Sequence, residues 1–350
     1  MQTLQQNSNK NKSALPICSV VIAAHNASPY ILAAVNSLQS QTLQEIEIII
    51  VDDASTDTTS EIVSGISRSD DRVHLTRLLV NQGQSFALNT GVLAARGKYV
   101  AFMDADDLAF PRRLELQINA MEKNKQLILV GGSIITMCDV TGKDGFVWRY
   151  ETDTAAILVS SLFKSEFMTG TMCLRREMML KHQLFFDPVI EIGADWELSI
   201  RAMKLGRVTN LTEILIHYRI HKAQVTANLL DNHRSSSASI RKVQLESLGI
   251  EPSIEDLMVH LAVSPCNYWA YGSHPYFIKF GKRLPYLAKE WFKRLQNANN
   301  KTGRYNPPVF SQYLQKLENL ISTTNFNKPL CKGYCPVIAA EVCPAEIRCR

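Results

Sequence analysis

Three carboxylates stand within four residues, at Asp104, Asp106 and Asp107, directly after the apolar segment Tyr99–Met103. Like charges this close together repel one another unless a cation neutralises them. Mg2+ and Mn2+ take oxygen ligands and commonly bridge protein carboxylates to substrate phosphates. The group therefore indicates a site for a divalent metal and a phosphate. An acidic turn that only caps the helix after Pro111 is the alternative.

A second polar group runs from Asp52 to Asp57, after the isoleucine-rich segment Ile46–Val51. In this group Asp53 could accept hydrogen bonds from a nucleoside base or a ribose hydroxyl. Ser55 and Asp57 have side chains that cap helix N-termini. Capping by these residues and nucleoside binding by Asp53 do not exclude each other.

Apolar segments of strand length alternate with amphipathic segments of helical spacing from Cys18 to about Gly132. The predicted strands are Cys18–Ala24, Ile46–Val51, Val73–Leu79, Tyr99–Met103 and Leu127–Gly131, and the predicted helices are Tyr30–Gln39, Thr58–Ser67, Ser85–Ala95 and Pro111–Asn124. This alternation predicts an α/β fold with a mainly parallel sheet flanked by helices. Ligands of such sheets bind beyond the carboxyl ends of the strands. The polar groups that follow the strands, among them His25-Asn26, stand at those ends.

The rest of the chain predicts a different organisation. From Leu229 onward the pattern is helical, and we place a domain boundary near residue 225. The predicted helices there are Ser237–Leu248, Ile254–Val263, Tyr276–Gln296 and Pro308–Ile321. Residues 1–14 are polar and are expected to be a disordered tail. The predicted units are therefore 1–14, an α/β domain over 15–225, a helical region over 226–330 and a cysteine-rich tail over 331–350.

The chain has 350 residues, of which 46% are hydrophobic, so it can bury a sizeable core. The sequence contains no run of about 18 apolar residues, so no transmembrane helix is predicted. Lys10 and Lys12 before an apolar stretch resemble a signal peptide, but the β-branched cluster Val20-Val21-Ile22 favours a buried strand. The net charge is +5, and the part from Val225 to Arg350 has 16 Lys and Arg against 9 Asp and Glu. This excess suggests an anionic partner or a solvated basic face.

Four of the eight cysteines lie in the last twenty residues, at Cys331, Cys335, Cys343 and Cys349. Their spacing lacks the paired C-x2-C of common zinc ribbons. A metal knuckle and disulfides are both open alternatives for this tail. The other cysteines, Cys18, Cys138, Cys173 and Cys266, lie in apolar contexts and are predicted to be small core residues. A reducing cytoplasm fits them.

Two familiar nucleotide-binding patterns are excluded. The stretch from Gly91 to Gly97-Lys98 is one residue too long for a P-loop, and Tyr99 stands where Ser or Thr must bind the metal. No G-x-G-x-x-G occurs in the chain. The protein is therefore neither a P-loop ATPase nor a standard dehydrogenase.

Several motifs follow one another between Ser19 and Asp107. They are Ser19-Val-Val-Ile-Ala-Ala-His-Asn26, Ser37-Leu-Gln-Ser-Gln-Thr42, Glu47-Ile-Ile-Ile-Val-Asp-Asp-Ala-Ser-Thr-Asp57, Asn81-Gln-Gly, Ala87-Leu-Asn-Thr-Gly91 and Ala95-Arg-Gly-Lys-Tyr-Val-Ala-Phe-Met-Asp-Ala-Asp-Asp107. In order and spacing they resemble the motifs of family 2 glycosyltransferases with the GT-A fold. The resemblance is good over residues 17–125 and patchier to 222. It implies an inverting enzyme that transfers a sugar from a nucleotide-diphosphate sugar, with a UDP-sugar favoured, to a hydroxyl.

The resemblance also implies a donor site. By motif position Ala23, His25 and Asp53 surround the base and ribose. Asp104 and Asp106 form the family's DxD motif, at the ribose and the metal–diphosphate, with Mg2+ or Mn2+ as the metal. Leu88 is a departure, because many members have Arg at this position, before the Asn.

On the acceptor side, Ile192-Gly-Ala-Asp-Trp-Glu-Leu-Ser-Ile-Arg201 resembles the family's Glu-Asp-x-x-Leu segment, and Asp195 matches its catalytic base. Ala194 replaces the usual preceding Glu, and a helix N-cap is the structural alternative for Asp195. His217-Tyr-Arg-Ile-His221 resembles the family's Tyr-Arg-x-His stretch, in which Arg219 and His221 meet the diphosphate or the metal. No Gln-x-x-Arg-Trp motif is present, which argues against a processive polysaccharide synthase.

The segment Tyr276–Gln296 combines an apolar stripe with a basic face. Such a helix can lie on an anionic bilayer, or its stripe can pack against the GT-A domain. The first arrangement suits a cytoplasmic enzyme, peripheral at the inner face of the plasma membrane, with a glycan or lipid-linked glycan acceptor. The resemblance places such an enzyme in bacterial surface polysaccharide or glycoconjugate synthesis. No nucleic-acid partner is expected.

Two other function classes compete with this prediction. A nucleotidyltransferase needs a Gly-rich, basic loop after the first strand, and Ala23 to Ser28 lacks one. A catalytically degenerate GT-A scaffold or glycan-binding protein is suggested by Leu88 and Ala194.

Overall fold

The computed structural model describes residues 15–190, 192–221, 230–265 and 279–323. Its strands form one nine-stranded sheet in the order β3-β2-β1-β4-β8-β6-β9-β5, with β7 paired to β6. They are β1 Cys18–Ala24, β2 Ile46–Asp52, β3 Val73–Arg77, β4 Tyr99–Phe102, β5 Leu108–Ala109, β6 Leu127–Cys138, β7 Asp144–Trp148, β8 Cys173–Arg175 and β9 Arg207–Ile220.

The α-helices of the described residues cover the sheet and then form a separate C-terminal group. They are α1 Ile31–Gln39, α2 Thr59–Ser67, α3 Gln84–Ala94, α4 Arg113–Lys123, α5 Thr154–Ser160, α6 Arg176–Lys181, α7 Ala194–Met203, α8 Leu230–Ser247, α9 Ile254–Val263, α10 Leu284–Thr302 and α11 Pro307–Ser322. Short 3-10 turns lie at Thr169–Thr171 and Gly281–Arg283.

The first half of the sheet is parallel, as its alternating pattern predicts. β1 pairs in parallel with both β2 and β4, and β2 pairs in parallel with β3. β1 and β2 are almost wholly buried because helices cover both faces. The second half is mixed, since β8 runs antiparallel to β4 and β6 while β9 runs parallel to β6. The α/β fold with a helical C-terminal region is confirmed.

Strand β6 is longer than predicted, because its apolar run continues beyond Gly131 to Cys138. Glycine is required at Gly131, where a Cβ would lie 2.2 Å from Oδ1 of Asn210 on the neighbouring β9. The glycine pair therefore admits a neighbouring strand and does not end this one. Strand β3, by contrast, is shorter than predicted: it ends at Arg77, and Leu79 is exposed in the following loop.

The C-terminal helices have their own apolar core. The stripe predicted over Tyr276–Gln296 is buried at Leu284, Trp291 and Leu295, which pack with α5, α9 and α11. Helix α10 begins at Leu284, so Pro285 lies in its first turn, where proline is tolerated. The stripe thus contributes to the core, whereas basic residues such as Lys289 and Lys293 remain exposed. Within the described residues no helix is long and apolar enough to cross a bilayer.

Cys18 and Cys173 are buried and Cys138 is half-buried, and none of these three forms a disulfide. Several predictions fall outside the described residues. They are the tail 1–14, the boundary near 225, Cys266 and the cysteine-rich tail 331–350.

A buried carboxylate ties the N-terminal ends of β1, β2 and β4 together. Glu47 is 2% exposed and accepts hydrogen bonds from the Ser19 hydroxyl at 2.6 Å and from Nε of Arg96 at 2.8 Å. Ser19 in turn accepts from the backbone N–H of Gly97 at 2.8 Å. Burial raises the pKa of Glu47, but these hydrogen bonds outweigh burial and hold its pKa below the usual value.

We therefore expect Glu47→Gln to lower the free energy of unfolding by about 1–3 kcal/mol at pH 7, because it weakens charge-assisted hydrogen bonds. Since the folded pKa is depressed, the stabilisation is present above the unfolded pKa. It is lost as pH falls through the folded pKa. Urea denaturation at pH 7 and pH 4 measures both effects. The exposed Glu45→Gln is the matched control, with a change within about 0.5 kcal/mol. An equal loss at both pH values would contradict the ionic role of Glu47.

Candidate functional site

The edge formed by the carboxyl ends of β1, β2 and β4 carries the predicted donor residues. Asp53 is 3% exposed, and its two carboxylate oxygens accept the backbone N–H groups of Gln82 at 2.7 Å and Gly83 at 2.8 Å. Nδ1 of the exposed His25 lies 2.7 Å from the carbonyl oxygen of Asp53. Ala23 is half-buried in β1, opposite Val51. Asp53 therefore holds the 82–83 loop against this edge.

The same loop reaches the acidic group. Gly83 has φ +87°, which favours glycine, and it is the N-cap of α3. The next residue, Gln84, donates from Nε2 to Oδ1 of Asp104 at 3.0 Å. Burial, followed by the charges of Asp106 and Asp195, raises the pKa of Asp104 to about 7. The site thus concentrates negative charge that a cation would compensate.

Asp106 and His221, the two predicted metal ligands, contact each other. Oδ2 of Asp106 lies 2.8 Å from Nε2 of His221 at the end of β9. The His221 ring also contacts the Tyr30 ring, with centroids 4.7 Å apart. Arg219 donates to the Asp106 carbonyl oxygen at 2.7 Å and to Oδ1 of Asp139 at 3.1 Å. Arg219 therefore supports the acidic loop.

Asp107 is fully buried beneath the loop, and its Oδ1 accepts the Arg219 backbone N–H at 2.9 Å. Burial and the charges of Asp106 and Asp104 raise the pKa of Asp107 well above its usual value. The guanidinium of Arg113 is also fully buried and donates to the Phe102 carbonyl oxygen at 2.6 Å. Burial lowers the pKa of Arg113 to about 10. This arginine places a positive charge below the acidic loop.

Asp195 lies in the first turn of α7. Gly193, with φ +86°, is the N-cap, so the predicted alternative of Asp195 as N-cap is not what the structure has. Oδ1 of Asp195 accepts the Trp196 N–H at 2.7 Å, and Oδ2 accepts the Thr169 N–H at 3.3 Å. Burial raises the pKa of Asp195 to about 6, although these backbone hydrogen bonds oppose the shift.

Gly170 lies close to the carboxylates of the acidic loop, and the residue before it contacts Asp195. A Cβ at this position would lie 3.2 Å from Oδ2 of Asp104 and 3.2 Å from Oδ2 of Asp107. Its neighbour Thr169 holds Asp195. The 3-10 turn Thr169–Thr171 therefore contacts Asp195 through the Thr169 N–H and lies against the acidic loop at Gly170.

The described residues contain no cluster of three or more His, Cys, Asp or Glu side chains arranged to hold a metal. The separation of 2.8 Å between Asp106 Oδ2 and His221 Nε2 is nevertheless close to that of neighbouring ligands on one octahedral ion. Such ligands at 2.0–2.1 Å from the metal are about 3 Å apart. The pair fits two positions of a divalent cation, and diphosphate oxygens and water would supply the rest.

The structure therefore brings Asp104, Asp106, Asp195 and His221 to one place, and it connects Asp53 to them through the 82–84 loop. Sequence reasoning missed Gln84, Gly170 and Asp139. Gln84 follows the Asn81-Gln-Gly motif, which was the available signal, whereas the contacts of Gly170 and Asp139 are long-range. Leu88 is 2% exposed within the core of the sheet, so it offers no phosphate contact.

Comparisons with known proteins identify the family of the chain. The model of glycosyl transferase family 2 matches residues 19–184. An uncharacterised glycosyltransferase of Haemophilus influenzae is 30% identical over 240 residues, which are 67% of this chain and 73% of that protein. The succinoglycan biosynthesis protein ExoO of Rhizobium meliloti is 32% identical over 205 residues, 55% of this chain and 57% of that protein.

The fold is similar to that of a solved structure, S. aureus TarS 1–349 in complex with UDP-GlcNAc. The TM-score is 0.55 at 17% identity, and the match covers 85% of this chain and 92% of that chain. At this identity the likeness concerns the fold. Together with the sequence relatives, it leads to one assignment: the chain is a glycosyltransferase and belongs to glycosyl transferase family 2.

Proposed function

We propose that the protein transfers a sugar from a nucleotide-diphosphate sugar to a hydroxyl with inversion at C1, and that a UDP-sugar is the donor. The observation that carries this proposal is that one 3-10 turn contacts both groups: the Thr169 N–H donates to Oδ2 of Asp195 at 3.3 Å, and Gly170 lies against Asp104 and Asp107 of the acidic loop. The UDP-GlcNAc complex of the similar TarS fold supports a uridine donor.

The donor would lie along the edge formed by the ends of β1, β2 and β4. Ala23, His25 and Asp53 surround the nucleoside, and each Asp53 oxygen keeps a lone pair after accepting its backbone N–H. Asp104 binds at the ribose and the diphosphate. Asp106 and His221 would hold Mg2+ or Mn2+, which neutralises charge on the leaving diphosphate when bound.

Asp195 is the base in this proposal. Its carboxylate takes the proton of the acceptor hydroxyl while the hydroxyl oxygen forms a bond to C1 of the sugar. The bond from C1 to the diphosphate oxygen breaks at the opposite face, and its electron pair leaves with the nucleoside diphosphate. A base pKa of about 6 suits this role, because the carboxylate is mostly ionised at pH 7 and still accepts a proton readily.

The acceptor in this proposal is a glycan or a lipid-linked glycan of a bacterial surface polysaccharide, as the relationship to ExoO suggests. The exposed residues Lys282, Arg283 and Lys289 near the start of α10 form a basic face suited to anionic lipid at the inner face of the plasma membrane. Because the apolar stripe of α10 is buried, this contact is electrostatic. It will weaken as salt is raised.

The first prediction from this proposal concerns Asp195 as the base. Asp195→Asn should lower turnover by about 10²- to 10⁴-fold, since the amide cannot take the proton. UDP release from UDP-sugars, with Mn2+ and water as the acceptor, measures turnover, and calorimetry with UDP and Mn2+ should give a Kd close to wild type. The exposed Asp71→Asn is the matched control and should keep full turnover. Wild-type chain that binds UDP but releases none from any donor would favour the degenerate scaffold.

The second prediction concerns pH. Because Asp195 acts ionised and its pKa is raised to about 6, kcat should fall about tenfold per pH unit well below 6 and level off above it. Initial rates at saturating donor and Mn2+ between pH 4.5 and 8 give the profile. Enzyme held at low pH and assayed again at pH 7.5 controls for unfolding. A flat profile across this range contradicts Asp195 as the base.

The third prediction concerns the metal. His221→Ala and Asp106→Asn should each weaken UDP binding roughly tenfold or more in the presence of Mn2+, because each removes one ligand. Binding of UDP without metal should change little. Calorimetry with and without Mn2+ measures this difference, and the exposed His182→Ala is the control. Equal weakening under both conditions would show a general loss of structure instead.

A further inference from the structure

The residue after the base is anchored away from the active site. The indole of Trp196 is 4% exposed, and its Nε1 donates to the Ser161 carbonyl oxygen at 2.9 Å. The backbone N–H of the same residue donates to Oδ1 of Asp195 at 2.7 Å. The orientation of the indole and the orientation of the carboxylate are therefore linked through one residue.

Helix α8, from the C-terminal helices, covers this anchor. The guanidinium of Arg241 lies 4.6 Å from the centre of the Trp196 ring, and Arg241 is 3% exposed. It donates to the carbonyl oxygens of Phe163 at 2.6 Å and Ser237 at 3.1 Å. A planar guanidinium can stack on an indole and donate at its edges at the same time, whereas an ammonium has no plane to stack on the ring.

Two more contacts from α8 reach the same turn. Gln244 donates from Nε2 to the Ser161 carbonyl oxygen at 2.9 Å, so this oxygen accepts from both Trp196 and α8. At the N-cap of α7, a Cβ on Gly193 would lie 3.2 Å from Cδ1 of Ile240. Helix α8 thus contacts the base-bearing turn at its N-cap and at its first aromatic side chain. This helix lies outside residues 19–184, which match the family model.

We propose that Arg241 is a positioning residue for transfer, which fixes the orientation of the Asp195 carboxylate through the ring of Trp196. The inference rests on the proposed role of Asp195 as the base. Its physical basis is geometric, since a displacement of about 1 Å at a reacting group can lower a rate by about 10²-fold. Arg241 is not among the causes of the raised pKa of Asp195, which are burial and backbone hydrogen bonds.

The test uses the full chain with two substitutions, Arg241→Met and Arg241→Lys. Both remove the planar stack, and the second keeps the charge. We expect each to lower kcat for UDP release by about tenfold to a hundredfold, with kcat calculated from the concentration of enzyme that binds UDP. The Kd for UDP with Mn2+ should stay within about twofold, and the pH midpoint of kcat should not move. The exposed neighbour Lys242→Met is the matched control and should behave as wild type.

Hydrogen–deuterium exchange gives a readout that does not depend on turnover. In the Arg241 variants the peptide covering 193–199 should exchange faster, while the peptide covering 99–107 should not change. If Arg241→Met fails to fold, Arg241→Lys and Trp196→Phe decide, because Trp196→Phe keeps a ring but loses the donation to Ser161. Wild-type kcat in Arg241→Lys, or exchange that rises equally in both peptides, overturns the proposal.

The variant Asp195→Asn distinguishes a failure of the proposed base from a failure of the positioning role of Arg241. If this variant keeps wild-type turnover, the proposed base is wrong. If it loses turnover with UDP still bound, and the Arg241 variants keep both full turnover and wild-type exchange, only the positioning role is wrong.

Discussion

Electrostatic repulsion within the acidic loop is the constraint on which the rest of the site depends. Asp104, Asp106 and Asp107 are held together although burial and mutual repulsion raise the pKa values of two of them. The fold opposes this repulsion with the buried guanidinium of Arg113 below the loop and with backbone and amide donors around it. These groups offset the charge only in part, which is why the loop suits a ligand that contains a cation.

The surrounding elements follow from that constraint. A loop that must hold several carboxylates needs donors from distant parts of the chain, so the ends of β9 and α3 converge on it. The aromatic ring of Tyr30, its hydroxyl bonded to Asp139, supports Arg219 and His221 from the opposite side. The turn Thr169–Thr171 lies against this loop, since a Cβ at Gly170 would lie 3.2 Å from Oδ2 of Asp104 and 3.2 Å from Oδ2 of Asp107. A glycine at this position therefore lets the turn approach the carboxylates closely.

The local pattern of the sequence predicts those features that depend on residues close together in the chain. Buried strands such as β1, with the polar residues that follow them, were identified because hydrophobic runs and strand ends are local features. The extension of β6 was missed because the glycines at 131 and 132 suggest an end, whereas the cause of their presence is the close approach of β9. The contacts of Asp53 with the 82–83 loop join residues about thirty positions apart. No periodicity indicates such a pairing.

The amphipathic stripe of α10 shows the same limit at the level of packing. A stripe of Leu284, Trp291 and Leu295 fits a bilayer or a protein core equally well, because both remove apolar area from water. The stripe packs into a core only if other helices present a matching apolar surface, and α9 and α11 do so. The buried Trp291 donates to His260, and His260 contacts Phe163, whose carbonyl oxygen accepts from Arg241. The core of the C-terminal helices is therefore continuous with the turn that carries Asp195, the base in our proposal.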